Sequence, residues 1–211
     1  MPELYEKMAE LVIEGKGDEL KSLAKQALDQ GKAAKEIIDS GLLPGMDVVG
    51  KKMKSGEMFI PEVLLSARTM QGALDIVKPL LAAGDDNNAG TVIIGTVEGD
   101  LHDIGKNLVA MLLEGAGFTV INIGTGVKPQ EFVEGVKEHK PDIVGMSALL
   151  TTTMPKMEET IQAIKEAGLR DQVKIMAGGA PVTQEFVDKI GGDSYGTNAA
   201  EAVEKAKTLI N

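Results

Sequence analysis

The 211-residue chain contains no cysteine and no tryptophan, only two histidines, and 3% aromatic residues. The missing thiols exclude disulfides, thiolate nucleophiles and thiolate-ligated metals, and they suit a reducing compartment. Positive charge is also scarce: 22 Lys and Arg stand against 32 Asp and Glu, a net charge of −10. No basic stripe offers a footprint for a phosphate backbone, so nucleic acid is not expected as a partner. Long apolar runs are missing too, and the start MPELYEKMAEL lacks the basic-then-apolar layout of a signal peptide. The expectation is a cytoplasmic protein with no membrane partner. No GxxxxGK[ST] loop, strand-turn GxGxxG or G-x-S-x-G elbow occurs, which removes the common phosphate, dinucleotide and serine-hydrolase sites.

What is present divides near residue 85. Before it, apolar residues recur at helical spacing: Leu4, Met8, Leu11 and Val12; Leu20, Leu23, Ala24, Ala27 and Leu28; Met46, Val49 and Met53; then Ile60 through Leu81. Four amphipathic helices follow, with Gly15 and Gly17 closing the first, Asp18 capping the second, and Pro44 and Pro61 near the starts of the third and fourth. The polar stretch AGDDNNAG, 83–90, reads as a linker. The chain is therefore expected to comprise a helical bundle over 1–84, a linker over 85–90 and a second domain over 91–211.

That second domain alternates. β-rich runs at 91–97, 119–124, 142–150, 174–180 and 193–197 are separated by helical stretches at 103–115, 129–139, 155–167, 183–190 and 198–210. Five βα units predict an α/β fold, a five-stranded parallel sheet with helices on both faces, in the flavodoxin-like order 2-1-3-4-5 or a Rossmann-like variant. Ligands in such folds sit beyond the carboxyl ends of the strands where the order reverses, between strands one and three. EGDLHDIGKN, 98–107, follows strand one; SALLTTTM, 147–154, ends strand three; AGGA, 177–180, ends strand four. One rim thus collects a carboxylate, an imidazole, several hydroxyls and a glycine pair.

No second histidine lies near His102, so a zinc site is not expected, and His139 in the helix-ending EHKPD suits a solvated charge partner. Taken singly, His102 fits a loop or capping residue, the glycines a turn, and the Ser/Thr run a helix cap. One imidazole with an acid two residues upstream suits a different task. It can be the single axial ligand of a metal already held by an organic ring, with the acid fixing its tautomer.

These residues resemble the cobalamin-binding domains of B12-dependent methyltransferases, whose signature is D-x-H-x-x-G, then S-x-L, then G-G. It reads here as Asp100, His102 and Gly105; Ser147 and Leu149; Gly178 and Gly179. GMDVVGKKMKSGEMFIPEVLLSARTMQGAL, 45–74, also resembles the helical cap domain of methionine synthase and of the small methylamine- and methanol-type corrinoid proteins. The resemblance implies cobalamin or a related corrinoid, bound base-off with His102 as the lower cobalt ligand and Asp100 hydrogen-bonded to the imidazole. It implies that Thr153 completes this ligand relay, that Ser147 and Leu149 line the slot for the displaced nucleotide tail, and that Gly105, Gly178 and Gly179 leave it room. Phe59 would lie over the upper corrin face; a hydrophobic staple ahead of Pro61 is the alternative for this residue.

The function so implied is that of a corrinoid methyl carrier in one-carbon metabolism such as methanogenesis or acetogenesis, cycling between Co(I) and methyl-Co(III). The partners would be a substrate-specific methyltransferase, a second methyltransferase acting on an acceptor such as coenzyme M or tetrahydrofolate, and a reductive activator. With no thiolate and no barrel-sized domain, a carrier subunit is expected rather than a complete enzyme. The small subunit of an adenosylcobalamin mutase is the second reading, although that class resembles the sheet domain alone. A B12-dependent sensor would need a DNA-binding segment, and a receiver-like signalling domain would leave His102 unexplained.

Overall fold

Seven residues with six β-branched side chains, TVIIGTV, build strand β1 (Thr91–Val97), buried along all but its first residue as a central parallel strand must be. It is flanked by β2 (Thr119–Val127) and β3 (Ile143–Ser147), and β4 (Lys174–Gly178) and β5 (Ser194–Gly196) extend the sheet in the order β2-β1-β3-β4-β5, all parallel. A computed structural model describes residues 2–81 and 89–210 of the chain. Most of the expected linker lies outside those residues.

The crossover helices are α6 (Ile104–Gly115), α7 (Pro129–His139), α8 (Pro155–Glu166), α9 (Gln184–Ile190) and α10 (Ala199–Ile210). On one sheet face Ile93, Val97, Val144 and Ile175 pack with Phe132, Val133 and Val136 of α7 and Met157, Ile161 and Ile164 of α8. The order reverses between β1 and β3. Their carboxyl ends therefore open a crevice at Val97 and Ser147, which stand at adjoining levels because Thr96 pairs with Ser147 and Ser147 with Gly178. Edge strand β2 outruns its neighbour by two irregularities, Ile94/Gly95 against Asn122/Gly124 and Gly95/Val97 against Gly124/Val127. These bulges bend its end toward the β1 loop, where the Gly126 N–H reaches the Asp100 carbonyl at 2.9 Å.

The helical unit is separate in its packing. The helices are α1 (Pro2–Ile13), α2 (Gly17–Asp29), α3 (Ala34–Glu36), α4 (Leu43–Ser55) and α5 (Ile60–Val77). Met8, Leu11 and Val12 of α1, Leu20, Ala24 and Ala27 of α2, Met46 and Val49 of α4, and the Val63–Val77 stripe of α5 form its core. Pro44 and Pro61 stand in the first turns of α4 and α5 as expected. Two local expectations are corrected. Helix α2 begins at Gly17 with Lys16 in the capping position, so Asp18 lies inside the first turn, where its charge faces the positive end of the helix dipole. Residues 34–42 are also helical, and Ile37–Leu42 form a π-helix with Ile37, Ile38 and Leu42 buried. Gly41 allows this wide turn to close on α1: a Cβ there would come within 2.9 Å of the Met8 sulfur.

Candidate functional site

The loop joining β1 to α6 buries Asp100 completely. A bare carboxylate in that position is costly unless donors surround it, and here they do. Oδ1 accepts from the His102 N–H at 3.1 Å and stands 2.7 Å from His102 Nδ1; Oδ2 accepts from the N–H groups of Leu149 at 2.7 Å and Leu150 at 3.3 Å and from the Thr153 hydroxyl at 2.9 Å. Burial is the largest single influence on this carboxyl and pushes its pKa up. The bonds from Leu149, His102 and Thr153 together outweigh it and hold Asp100 well below the usual carboxylate range.

An ionised Asp100 has no proton to give, so the short contact makes Nδ1 the donor and leaves the lone pair of the neutral ring on Nε2. The His102 side chain is 53% exposed, and Nε2 has no protein partner among the described residues. The arrangement is a ligand nitrogen aimed outward from a fixed, negatively charged mount. Thr153, 6% exposed and placed just ahead of α8, braces the far side of the same carboxylate.

The loops at His102 expose large apolar side chains. Leu101 and Ile104 are 77% and 73% exposed, with Leu149 and Leu150 also in the open. Four exposed leucine and isoleucine side chains beside an unpartnered ring nitrogen are the features a flat organic ligand with an axial coordination position would cover. Gly105 adds space, since a Cβ there would meet nothing within 4 Å. No group of three or more His, Cys, Asp or Glu is placed to hold a bare metal ion among the described residues. One imidazole therefore suits a metal whose other ligands come with it, and the site fits a corrinoid.

Other expected residues fall differently. Ser147 and Gly178 are register partners at the sheet rim. Leu149 contributes its backbone N–H to Asp100 while its side chain is exposed. Gly179 must be glycine for the backbone's own sake: its φ is +127°, and a Cβ would lie 1.8 Å from the Ala148 carbonyl oxygen. Phe59, at the head of α5 in the helical unit, is 69% exposed, which removes the staple alternative; its N–H is held by the Glu62 carboxylate at 2.8 Å. His139 closes α7, 3.9 Å from Glu138.

Three contributors carry no motif. Thr96, fully buried, donates its hydroxyl to the His102 carbonyl. The Leu150 N–H is invisible in any residue pattern. Lys106, 3% exposed, donates to the side-chain oxygens of Asn107 and Asn122, both at 2.7 Å, and Asn107 in turn donates to Asp103 at 3.0 Å. This network ties the first turns of α6 to β2. A charged residue one step past a glycine was the only available signal.

Comparison with known proteins agrees with this geometry. A B12 binding domain family matches residues 90–204, and a second B12 binding domain family matches residues 4–78. The trimethylamine corrinoid protein of Methanosarcina barkeri is 44% identical over 211 residues, covering 99% of this chain and 97% of the relative. A crystal structure of a cobalamin-binding protein from Desulfitobacterium hafniense superposes with a TM-score of 0.80 at 33% identity, covering 97% of this chain and 98% of the other. A chain of the methanol:cobalamin methyltransferase complex from Methanosarcina barkeri gives a TM-score of 0.89 at 33% identity, covering 99% and 80%. The chain belongs to the B12-binding corrinoid proteins, the family of the methylamine and methanol corrinoid proteins. Its cofactor is a corrinoid.

Proposed function

We propose that this chain is the methyl carrier of a multi-component methyltransferase, holding its corrinoid base-off with His102 as the lower ligand. The observation that carries the reading is the Thr153–Asp100–His102 chain of contacts, 2.9 and 2.7 Å, ending in an outward, unpartnered Nε2. Kinship with a trimethylamine corrinoid protein and with a chain of a methyltransferase complex supports it. A mutase subunit would account for the sheet unit alone, whereas both units here match B12-binding families.

The bound corrinoid supplies a cobalt centre able to accept a methyl group and give it up. The protein's own residues do the rest. His102 offers Nε2 as ligand, and Asp100 fixes the ring's tautomer and orientation. The buried carboxylate of Asp100 would also balance positive charge at the ring, and Thr153 would keep that carboxylate from turning. Ser147, Leu149, Gly105, Gly178 and Gly179 would line the slot for the nucleotide tail. The partners are a substrate-specific methyltransferase, a second methyltransferase for the acceptor, and a reductive activator. The donor is a methylamine, by kinship with the trimethylamine protein.

The test is methyl transfer in the reconstituted system. Protein loaded with hydroxocobalamin, reduced at low potential and mixed with candidate partner methyltransferases, is exposed in turn to trimethylamine, dimethylamine, methanol and glycine betaine. Methylation of the protein-bound corrinoid by a methylamine, dependent on one partner, is expected. No methylation with any donor and partner overturns the carrier reading.

A further inference from the structure

We infer that Thr96 is a positioning residue for the cobalt ligand, acting through the His102 backbone. Strand β1 is apolar apart from its threonines, yet Thr96 is fully buried and its hydroxyl donates to the His102 carbonyl oxygen at 2.9 Å, across a loop of six residues. Among the described residues it is the one hydrogen bond of His102 that does not run through Asp100. The residue's N–H and its ring nitrogen both meet the same oxygen, Asp100 Oδ1, at 3.1 and 2.7 Å.

Both contacts end on one atom, and they hold only the N–H and the ring of the residue. Neither holds its carbonyl end, where a tilt of the peptide would carry the ring with it. A third bond, from a different strand atom to the opposite end of the residue, removes that freedom. Thr96 is suited to it because β1 is packed on both sides and pairs Thr96 with Ser147, so the donor oxygen sits on a part of the sheet that cannot shift locally. A valine there would keep the shape and the β-branch but drop the hydroxyl that donates to that carbonyl. Serine would keep the donor.

The proposal rests on His102 being the axial ligand, and the experiment separates the two. Wild type, His102→Ala, Thr96→Val and Thr96→Ser are loaded with hydroxocobinamide, a corrinoid without the nucleotide base, so that no nitrogen of the cofactor's own can take the lower position. Each is followed by its absorption spectrum and, after one-electron reduction, by the splitting that an axial nitrogen imposes on the paramagnetic cobalt signal. Nitrogen splitting in wild type and Thr96→Ser is expected, with none in His102→Ala. In Thr96→Val the ratio of His-on to His-off protein should fall about tenfold at equal cofactor content, the effect of one buried hydrogen bond. If His102→Ala matches wild type, the axial-ligand reading falls and Thr96 with it. If His102→Ala loses the splitting while Thr96→Val keeps it in full, the Thr96 inference alone is wrong. Equal loss in Thr96→Val and Thr96→Ser also overturns it, because packing rather than the hydroxyl is then responsible. Should Thr96→Val load poorly, Thr96→Ala against Thr96→Ser provides the same contrast.

Discussion

Thr153 and Asp100, 53 positions apart, meet in the interior of the sheet unit, the threonine hydroxyl 2.9 Å from Asp100 Oδ2. That bond fastens the loop ahead of α8 to the loop after β1. Thr153→Val removes one donor from a buried charge. A loss of about 1–2 kcal/mol in urea unfolding is expected, with Thr153→Ser close to wild type.

Asp100→Asn tests the carboxylate itself. One amide oxygen cannot accept from both sides, and the amide nitrogen faces donors, so a loss of about 2–4 kcal/mol at neutral pH follows. The sign with pH is fixed by the direction of the shift: the folded pKa is depressed, so the folded state binds fewer protons than the unfolded one. The stability from Asp100 is complete above its unfolded value of about 3.9 and drains away as pH falls toward the folded one. Urea titrations at descending pH should show the gap between wild type and variant constant near neutrality and shrinking below about pH 4.

Two glycines separate room for a ligand from room for backbone. Gly105→Ala meets nothing within 4 Å, so the apo-protein should hold its melting temperature or gain up to about 1 kcal/mol. Weaker retention of corrinoid in that variant is the expected cost. Gly179→Ala drives a methyl onto the Ala148 carbonyl at a positive φ and should destabilise the apo-protein by about 3 kcal/mol or more. Thermal unfolding of both, with and without cofactor, distinguishes them.

Lys106→Met removes a buried charge whose neighbours keep other donors: Asn122 serves Asn107, and the Gly124 N–H serves Asn122. A change within about 1 kcal/mol at pH 7 is expected. Burial holds the Lys106 pKa below the ordinary lysine range, so the unfolded chain binds the extra proton between the two values and stability rises with pH there. Wild type should gain on the variant as pH climbs toward about 10.

Much of this was legible in the residues themselves. The strand-and-helix alternation predicts α7 at its observed bounds and β1 at its observed run, because a central strand needs an unbroken β-branched stretch. Asp100, His102 and Thr153 stand out because side chains do the work. Leu150 is hidden because only its backbone N–H is used, and Thr96 because a threonine in a β-rich run already has a reason to be there. The π-helix at 37–42 escapes a reading built on a 3.6-residue period. At Gly179 the residue type alone does not show the approach of the Ala148 carbonyl, because a glycine looks the same in a sequence whatever lies against it.

The most direct measurement is the absorption spectrum of the protein reconstituted with hydroxocobalamin, beside that of His102→Ala. Stoichiometric binding by both, with the cobalt bands of wild type shifted from those of the variant, is the result required if Nε2 is the axial ligand. Identical spectra at full occupancy would contradict it.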